Sequence, residues 1–286
     1  MLAEFVYCYL LRPWPLRQLA NWSIRQVLPA RVIFGEAVVV LNPDDPVVSG
    51  ALHFGVYEKA ETKFFQTACR AGMTFLDVGA NIGYYTALAA RAVGPTGKII
   101  ALEPDPESFK YLEQTIAASA AENVQAFPVA ASDASASLPL YISADNRGDN
   151  RLYAPEETRP QVEVEVVPAD ALLRENKIDT VDFIKIDVQG YEPKVIAGLR
   201  DTIVRSPKLT LLTEFWPKGI RDAGGDPIEF LNTLRNLGLT LHELKSDGEL
   251  TELKSDDDLI ARHSGRRYTN LVGRKGCKKT DGRTRI

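Results

Sequence analysis

The sequence is short of the residues from which stapled, metal-built or membrane-spanning proteins are made. Its 286 residues include three cysteines, Cys8, Cys69 and Cys277. Odd in number and far apart, they fit neither a disulfide framework nor a zinc site, and they suit a reducing cytoplasm. The histidines His53, His242 and His263 stand alone in the chain, so each reads as structural or exposed. The apolar run at residues 5–11 falls far short of the ~20 residues that cross a bilayer. It also lacks the preceding basic residue and the small-residue cleavage site of a secretory signal. There is no excess of positive charge. A net charge of −4 gives no general attraction to nucleic acid. Internal repeats and low-complexity segments are absent too. What remains, 45% apolar and 25% charged residues, is the composition of a globular protein, long enough for one large domain or a domain with an appendage.

The stretch that organises the chain is residues 74–86, Thr-Phe-Leu-Asp-Val-Gly-Ala-Asn-Ile-Gly-Tyr-Tyr-Thr. An apolar run (Phe75, Leu76, Val78) stops at two glycines, and an Ala-rich helical pattern follows. That is the outline of a buried parallel strand, a tight turn and a helix N-terminus. Such a turn suits a nucleotide-like ligand, met by free backbone N–H groups and bare glycine backbone. The spacing selects among such ligands. A dinucleotide fingerprint needs a second glycine where the pyrophosphate presses on the backbone, and here Asn81 takes that place, between Gly79 and Gly83. The next strand, residues 98–102, ends at Glu103, 20 positions beyond Gly83. A strand-end acid can accept hydrogen bonds from both hydroxyls of a ribose. Asp77, Gly79, Ala80, Asn81, Gly83 and Glu103 thus outline a pocket for an adenosine with an amino-acid tail, S-adenosylmethionine (SAM).

Three strings carry a family resemblance: Asp77 to Gly83, Ala101-Leu102-Glu103-Pro104, and Phe183-Ile184-Lys185-Ile186-Asp187-Val188-Gln189-Gly190-Tyr191-Glu192. Together they resemble the FkbM family of SAM-dependent methyltransferases, with similarity running from about Tyr57-Glu58 to Asn270-Leu271. Gln189 departs from the pattern, where family members often carry Glu. The resemblance implies methyl transfer to oxygen. It places Glu58 near the methionine end of the cofactor, where helix capping is the other reading. It also places Ser132 or Asp133 near the adenine amino group, where a turn role for Asp133 is the alternative.

The remaining chain fits around this centre. Leu2, Phe5, Val6, Tyr9 and Leu10, then Trp14, Leu16, Leu19 and Trp22, recur at helical spacing among Arg12, Arg17, Arg25 and Arg31. The segment is either a cap on the catalytic domain or an interfacial helix on anionic lipid. Residues 31–41 read as a β segment closed by a turn at 42–46. Residues 138–142 and 162–167 form a hairpin-like excursion around a long, polar, mobile loop, placed where such sheets choose their substrate. Its Asn, Asp and Arg suit a polyhydroxylated acceptor, a sugar or glycan. The acidic run Asp256-Asp257-Asp258 reads as a solvated loop.

Residues 181–186 form a strand delivering Asp187 to the edge that Glu103 occupies, and residues 209–213 a strand ending at Glu214. Lys185 shares a face with Asp187. Asp187, Glu214 and Lys185 are therefore the candidate catalytic residues, with Asp187 also a candidate for the methionine amino group. A carboxylate there can take the acceptor's proton. Alternatively the two acids hold Mg²⁺, which lowers the hydroxyl's pKa. The fold expected is α/β, a Rossmann-like seven-stranded methyltransferase sheet. Residues 1–50 form a helical and β appendage, 51–275 the cofactor domain, and 276–286 a basic flexible tail. Placement is cytoplasmic, with peripheral membrane contact through the N-terminal segment. Two rivals stand: a nicotinamide-dependent oxidoreductase, which Asn81 opposes, and a catalytically silent SAM-binding or membrane-surface scaffold.

Overall fold

The computed structural model describes residues 16–144 and 146–276. The apolar N-terminal positions Leu2 to Trp14, Cys8, Cys277 and the basic tail lie outside the described residues. In chain order, α1 (Leu16–Val27) precedes a ribbon of β1 (Arg31–Phe34) and β2 (Ala37–Val40), then α2 (Pro46–His53) and α3 (Lys59–Ala68). The first half of the main unit is β3 (Thr74–Val78), α4 (Tyr84–Val93), β4 (Lys98–Leu102), α5 (Pro106–Ala118) and β5 (Val124–Phe127). A detour through β6 (Ala130–Ser132), β7 (Ala136–Tyr141) and β8 (Gln161–Pro168) follows. The second half is α6 (Ala169–Glu175), β9 (Phe183–Ile186), α7 (Glu192–Ala197), α8 (Arg200–Arg205) and β10 (Leu209–Phe215). The chain continues with α9 (Pro217–Asp222), α10 (Pro227–Asn236), β11 (Thr240–Leu244), β12 (Leu250–Glu252), α11 (Asp256–Arg262) and β13 (Thr269–Lys275).

The main sheet has eight strands in the order β12-β11-β13-β10-β9-β3-β4-β5. From β10 to β5 every pairing is parallel, and β13 enters antiparallel between β10 and β11. The Rossmann-like α/β fold is as expected, and the main sheet has eight strands where seven were expected. The eighth, β12, pairs antiparallel with β11 as an edge hairpin. Three residues, Leu250 to Glu252, are too few to show a period in sequence. Parallel strands bury both faces, and two apolar layers form here. On one side Leu172, Leu173, Val195, Ile196, Leu199 and Phe230 pack beneath the sheet. On the other lie Phe64, Phe65, Tyr85, Leu88 and Val93.

Three phenylalanines lock the second layer. Phe65 meets Phe75 and Phe183 edge-on, each at a centroid distance of 5.3 Å, and Phe75 meets Phe183 at 5.5 Å. All three are fully buried. The trio fixes α3 on β3 and β9, and so places Glu58, whose left-handed backbone (φ 35°) starts that helix.

The N-terminal ribbon is built into the domain. Val38 N–H donates to Ser119 Oγ (3.2 Å) and Val40 N–H to Thr115 Oγ1 (3.0 Å), tying β2 to α5. Asp45 caps α2 by accepting from Val48 N–H at 3.1 Å, and the expected boundary near residue 50 falls inside that helix. In α1, Ile24 is buried while Leu19, Trp22 and Val27 stay exposed. Among the described residues no helix is long and apolar enough to cross a membrane. The acidic run forms the first turn of α11 instead of a loop, where negative charge suits the helix dipole. Asp256 pairs with Arg235 and Asp258 with Arg262.

The long loop between β7 and β8 is tethered, contrary to the mobility expected of a polar segment. Asp149 accepts from Arg151 and Arg159, each at 2.6 Å. Arg147 bridges to Asp105 Oδ2 at 2.6 Å and donates its own N–H to Asp45 Oδ2 at 3.1 Å. The arginines that read as acceptor-facing are in part spent on holding the loop down.

Truncating the aromatic lock is expected to be expensive. Phe65→Ala should lower unfolding free energy by about 3–5 kcal/mol through lost burial and a residual cavity. A urea titration followed by circular dichroism checks this, and an unchanged midpoint would contradict the packing described.

Candidate functional site

The strand register assembles the site. Asp77 pairs with Ala101 on β4 and with Lys185 on β9, and Lys185 pairs with Leu212 on β10. Two residues further along each strand, on the same face, come Glu103, Gly79, Asp187 and Glu214. The carboxyl edge therefore presents a row of acid, glycine, acid and acid. The glycine cannot be replaced by a residue with a side chain without a collision. A Cβ at Gly79 would lie 2.1 Å from the carbonyl oxygen of Asp187, and its φ of +81° is left-handed. Gly83 serves packing instead, since a Cβ there would come within 2.7 Å of Leu112 Cδ1 on α5.

The turn itself corrects one expectation. Its N–H groups are not free. Those of Gly79 and Ala80 both donate to Leu102 O at 3.0 Å, and that of Gly83 to Ala80 O at 2.9 Å. Asn81 N–H donates to Glu103 Oε2 at 2.8 Å, and Ile82 N–H to Asn81 Oδ1 at 2.7 Å. Five consecutive donors are thus used internally. A pyrophosphate would find none of them, which weighs against the dinucleotide rival. Asn81 is left-handed (φ 50°), a conformation its short polar side chain tolerates.

Glu103 is held as a receptor. Its Oε1 accepts from Asp105 N–H at 2.9 Å and its Oε2 from Asn81 N–H. Each carboxylate oxygen has a second lone pair, so two hydroxyl donors can still be met. Burial pushes its pKa up to about 8, the Asp105 and Asn81 N–H groups opposing and the charges of Asp105 and Asp77 adding. Asp77 Oδ2 accepts from Thr86 Oγ1 at 2.6 Å. Its Oδ1 is buried with no hydrogen-bond partner among the described residues. Burial raises its pKa too, against Lys185.

Lys185 is a lone ammonium among acids. Its Nζ donates to Asp187 Oδ2 at 3.2 Å and lies 4.7 Å from the centre of the Tyr85 ring. Burial works against its charge, yet Asp187, Glu58 and Asp77 raise its pKa above the ordinary lysine range. Glu58 is pushed up to about 7 by burial, Lys185 opposing and Asp187 adding. Glu214 is only 7% exposed. Its Oε1 lacks a partner among the described residues, and its Oε2 lies 3.5 Å from Gln189 Nε2. Burial first, then Asp187, Glu192 and Glu58, drive its pKa well above the usual carboxyl range.

The cleft at this edge is lined by Asp77, Gly79, Ala80, Asn81, Glu103, Lys185 and Asp187. Glu58, Gly83, Ser132, Asp133 and Glu214 do not line it. Ser132 Oγ shares a hydrogen bond with Tyr191 Oη at 2.9 Å. Asp133 is spent on Lys194 at 2.7 Å, whose hydrogen bond and charge lower its pKa. Ala130 and Ala131 form the wall instead. Tyr57, Tyr85, Arg147, Asn150 and Gln189 also line the cleft. Tyr85 carries a signal in retrospect, being aromatic just after the glycine turn, and Tyr57 stands beside Glu58 where the family resemblance begins. Arg147 and Asn150 belong to the polar loop whose Asn, Asp and Arg read as acceptor-facing, but no period singles out either position. Mg²⁺ has no support: among the described residues no group of three or more His, Cys, Asp or Glu could hold a metal ion. The charge beside Asp187 is already the Lys185 ammonium. Glu103 and Asp77 Oδ1 fit a ligand with ribose hydroxyls and a cationic amino group, as SAM has.

Two outcomes follow. Glu103→Ala should weaken SAM and S-adenosylhomocysteine binding about tenfold by calorimetry, since it removes two hydrogen bonds of ~0.5–1.5 kcal/mol each. Glu58 and Glu103, at about 7 and about 8, keep protons in the folded chain that the unfolded chain has released. The unfolded state therefore binds fewer protons as pH rises, and stability falls between about pH 5 and pH 8. Urea midpoints of the ligand-free protein should decline across that window, and Glu103→Gln should make the decline shallower.

A family model described as the methyltransferase FkbM domain matches residues 77–238. Methyltransferase sdnD of Sordaria araneosa is 27% identical over 180 residues, covering 51% of this chain and 68% of that protein. Methyltransferase 1 of Beauveria bassiana (strain ARSEF 2860) is 28% identical over 145 residues, covering 44% of this chain and 58% of that protein, less than two thirds of its length. Among solved structures, methyltransferase FkbM from Methylobacillus flagellatus KT aligns over 90% of this chain and 59% of its own, with a TM-score of 0.45 and 14% identity. The family match begins at Asp77, where the glycine turn opens, and passes beyond the last of the strand-end acids. Because it spans more than half of the chain, the chain belongs to the FkbM methyltransferase family.

Proposed function

We propose that the protein transfers the methyl group of SAM to a hydroxyl of a small metabolite or sugar. The observation that carries this reading is the strand-end row of Glu103, Gly79, Asp187 and Glu214, set above a turn whose N–H groups are already used. Glu103 would hold the ribose hydroxyls, and Asp77, whose Oδ1 has no partner among the described residues, the cationic amino-acid end. The bound cofactor supplies an electrophilic methyl group with a neutral thioether as leaving group. The protein's own task is to orient the acceptor and receive its proton.

Asp187 is the acid of the pair that lines the cleft, so it is the general base in this reading. Glu214, behind it, is a buried neighbour that supports its position. The acceptor side is polar. Asn150 lines the cleft, and its Nδ2 is buried without a hydrogen-bond partner among the described residues. Its Oδ1 already accepts from Ser143 N–H at 2.9 Å. An unpaired buried donor costs stability unless a ligand satisfies it, and a hydroxyl-rich acceptor would do so.

Asp187→Asn should cut turnover on a hydroxyl acceptor by ~10²-fold or more, and Glu214→Gln by about tenfold. A screen of hydroxylated metabolites and sugars with methyl-labelled SAM measures both. Label transferred only to amine or carbon acceptors, or equal turnover in wild type and Asp187→Asn, would overturn the assignment.

A further inference from the structure

Gln189 sits where three parts of the molecule meet. Its backbone is left-handed, φ 55°. Its carbonyl accepts from Tyr153 Oη at 2.7 Å, a side chain of the tethered loop. Its Nε2 donates to Asp187 Oδ1 at 3.0 Å and faces Glu214 Oε2 at 3.5 Å. With two acids as neighbours, only the nitrogen end of the amide can point this way. Lys185 Nζ takes the other oxygen of Asp187, so both are committed to donors and the carboxylate plane is set.

We infer that Gln189 is a positioning residue for the methyl transfer, its amide orienting Asp187 at the cleft wall and bracing it against Glu214 and the β7–β8 loop. This rests on the reading of Asp187 as the base. This chain places an amide at this position. A carboxamide donates to a carboxylate at every pH and adds no charge. A carboxyl group here would lose the donor and join a crowded set of acids. The groups whose charges act at this point are Lys185, Glu58 and Tyr57 ahead of α3, Asp77 on β3, Glu192 on α7, Glu214 on β10 and Tyr268 before β13. Lys185 is the one cation among them. An added negative charge would favour protonation of the base, so activity would need a higher pH.

Two variants test this in the full-length protein. Gln189→Glu keeps the length and removes the donor. Gln189→Asn keeps the amide and tolerates the left-handed backbone, but cannot reach. Thermal melts and calorimetric titration with S-adenosylhomocysteine verify folding and cofactor binding. We expect kcat on the hydroxyl acceptor to fall about tenfold or more in both, with affinity for S-adenosylhomocysteine within about threefold. The acid limb of the pH–rate profile should move up by about one pH unit in Gln189→Glu and less in Gln189→Asn. Variants with wild-type kcat and an unmoved limb would overturn the inference alone. So would variants whose cofactor affinity falls as far as kcat, since Gln189 would then be a cofactor ligand. A wild type that binds S-adenosylhomocysteine yet methylates no hydroxyl acceptor overturns the proposed function as well.

Discussion

The structure depends on one buried ammonium. Lys185 lies at the centre of the sheet with Asp77 beside it on β3, Asp187 beyond it on its own strand, and Glu58 arriving from α3. Taking a charge from water into an apolar layer costs several kcal/mol even after relaxation. The position is tolerable because Lys185 has a carboxylate at hydrogen-bonding distance, an aromatic face beside it and further acids nearby. Each acid in turn gains from the cation. Without it the carboxylates at the strand ends would face each other across a low-dielectric edge, and their proton affinities would rise further. The register Asp77↔Lys185 is therefore the electrostatic foundation of the site.

Excess negative charge at this edge has a consequence for ligands. More carboxylates than cations converge here, and burial raises the proton affinities of Glu58, Glu103 and Glu214. A cationic ligand relieves that imbalance, and SAM carries both a sulfonium and an ammonium. An anionic pyrophosphate would aggravate it. The backbone makes the same choice independently, since the turn has already paired the N–H groups that a phosphate would need.

Peripheral pieces are arranged to keep this edge enclosed. The β1–β2 ribbon rides on α5, and Asp45 at the start of α2 receives the N–H of Arg147. Arg147 also reaches Asp105, whose own N–H holds Glu103. Arg151 stacks over Trp216 at 4.8 Å, just past the end of β10. The loop that covers the cleft is thus fastened to the cofactor side at one end and to the Asp187–Glu214 side at the other. The loop's position and the orientation of the acids share one set of contacts.

Much of this was legible in the chain. Apolar-rich runs ending at Glu103, Asp187 and Glu214 identify parallel strands and their shared edge, because a strand buried on both faces is mostly apolar and an acid at its end marks the rim. The Gly79–Gly83 spacing, with Asn81 between, separates a SAM turn from a dinucleotide turn, since the distinction lies in one Cβ. Other features required the tertiary structure. Whether a turn's N–H groups are free depends on Leu102 and Glu103, more than twenty residues away. Asp133 reads as a cofactor ligand or a turn residue, and the folded chain pairs it with Lys194 on α7. The β7–β8 loop reads as mobile because its anchors, Asp45 and Asp105, are distant in sequence. Local pattern determined which residues reach the sheet edge, as periodicity and strand ends are properties of neighbouring positions. Only the folded chain decided which of them remain available to a ligand, because a buried polar group is committed by its partners in space.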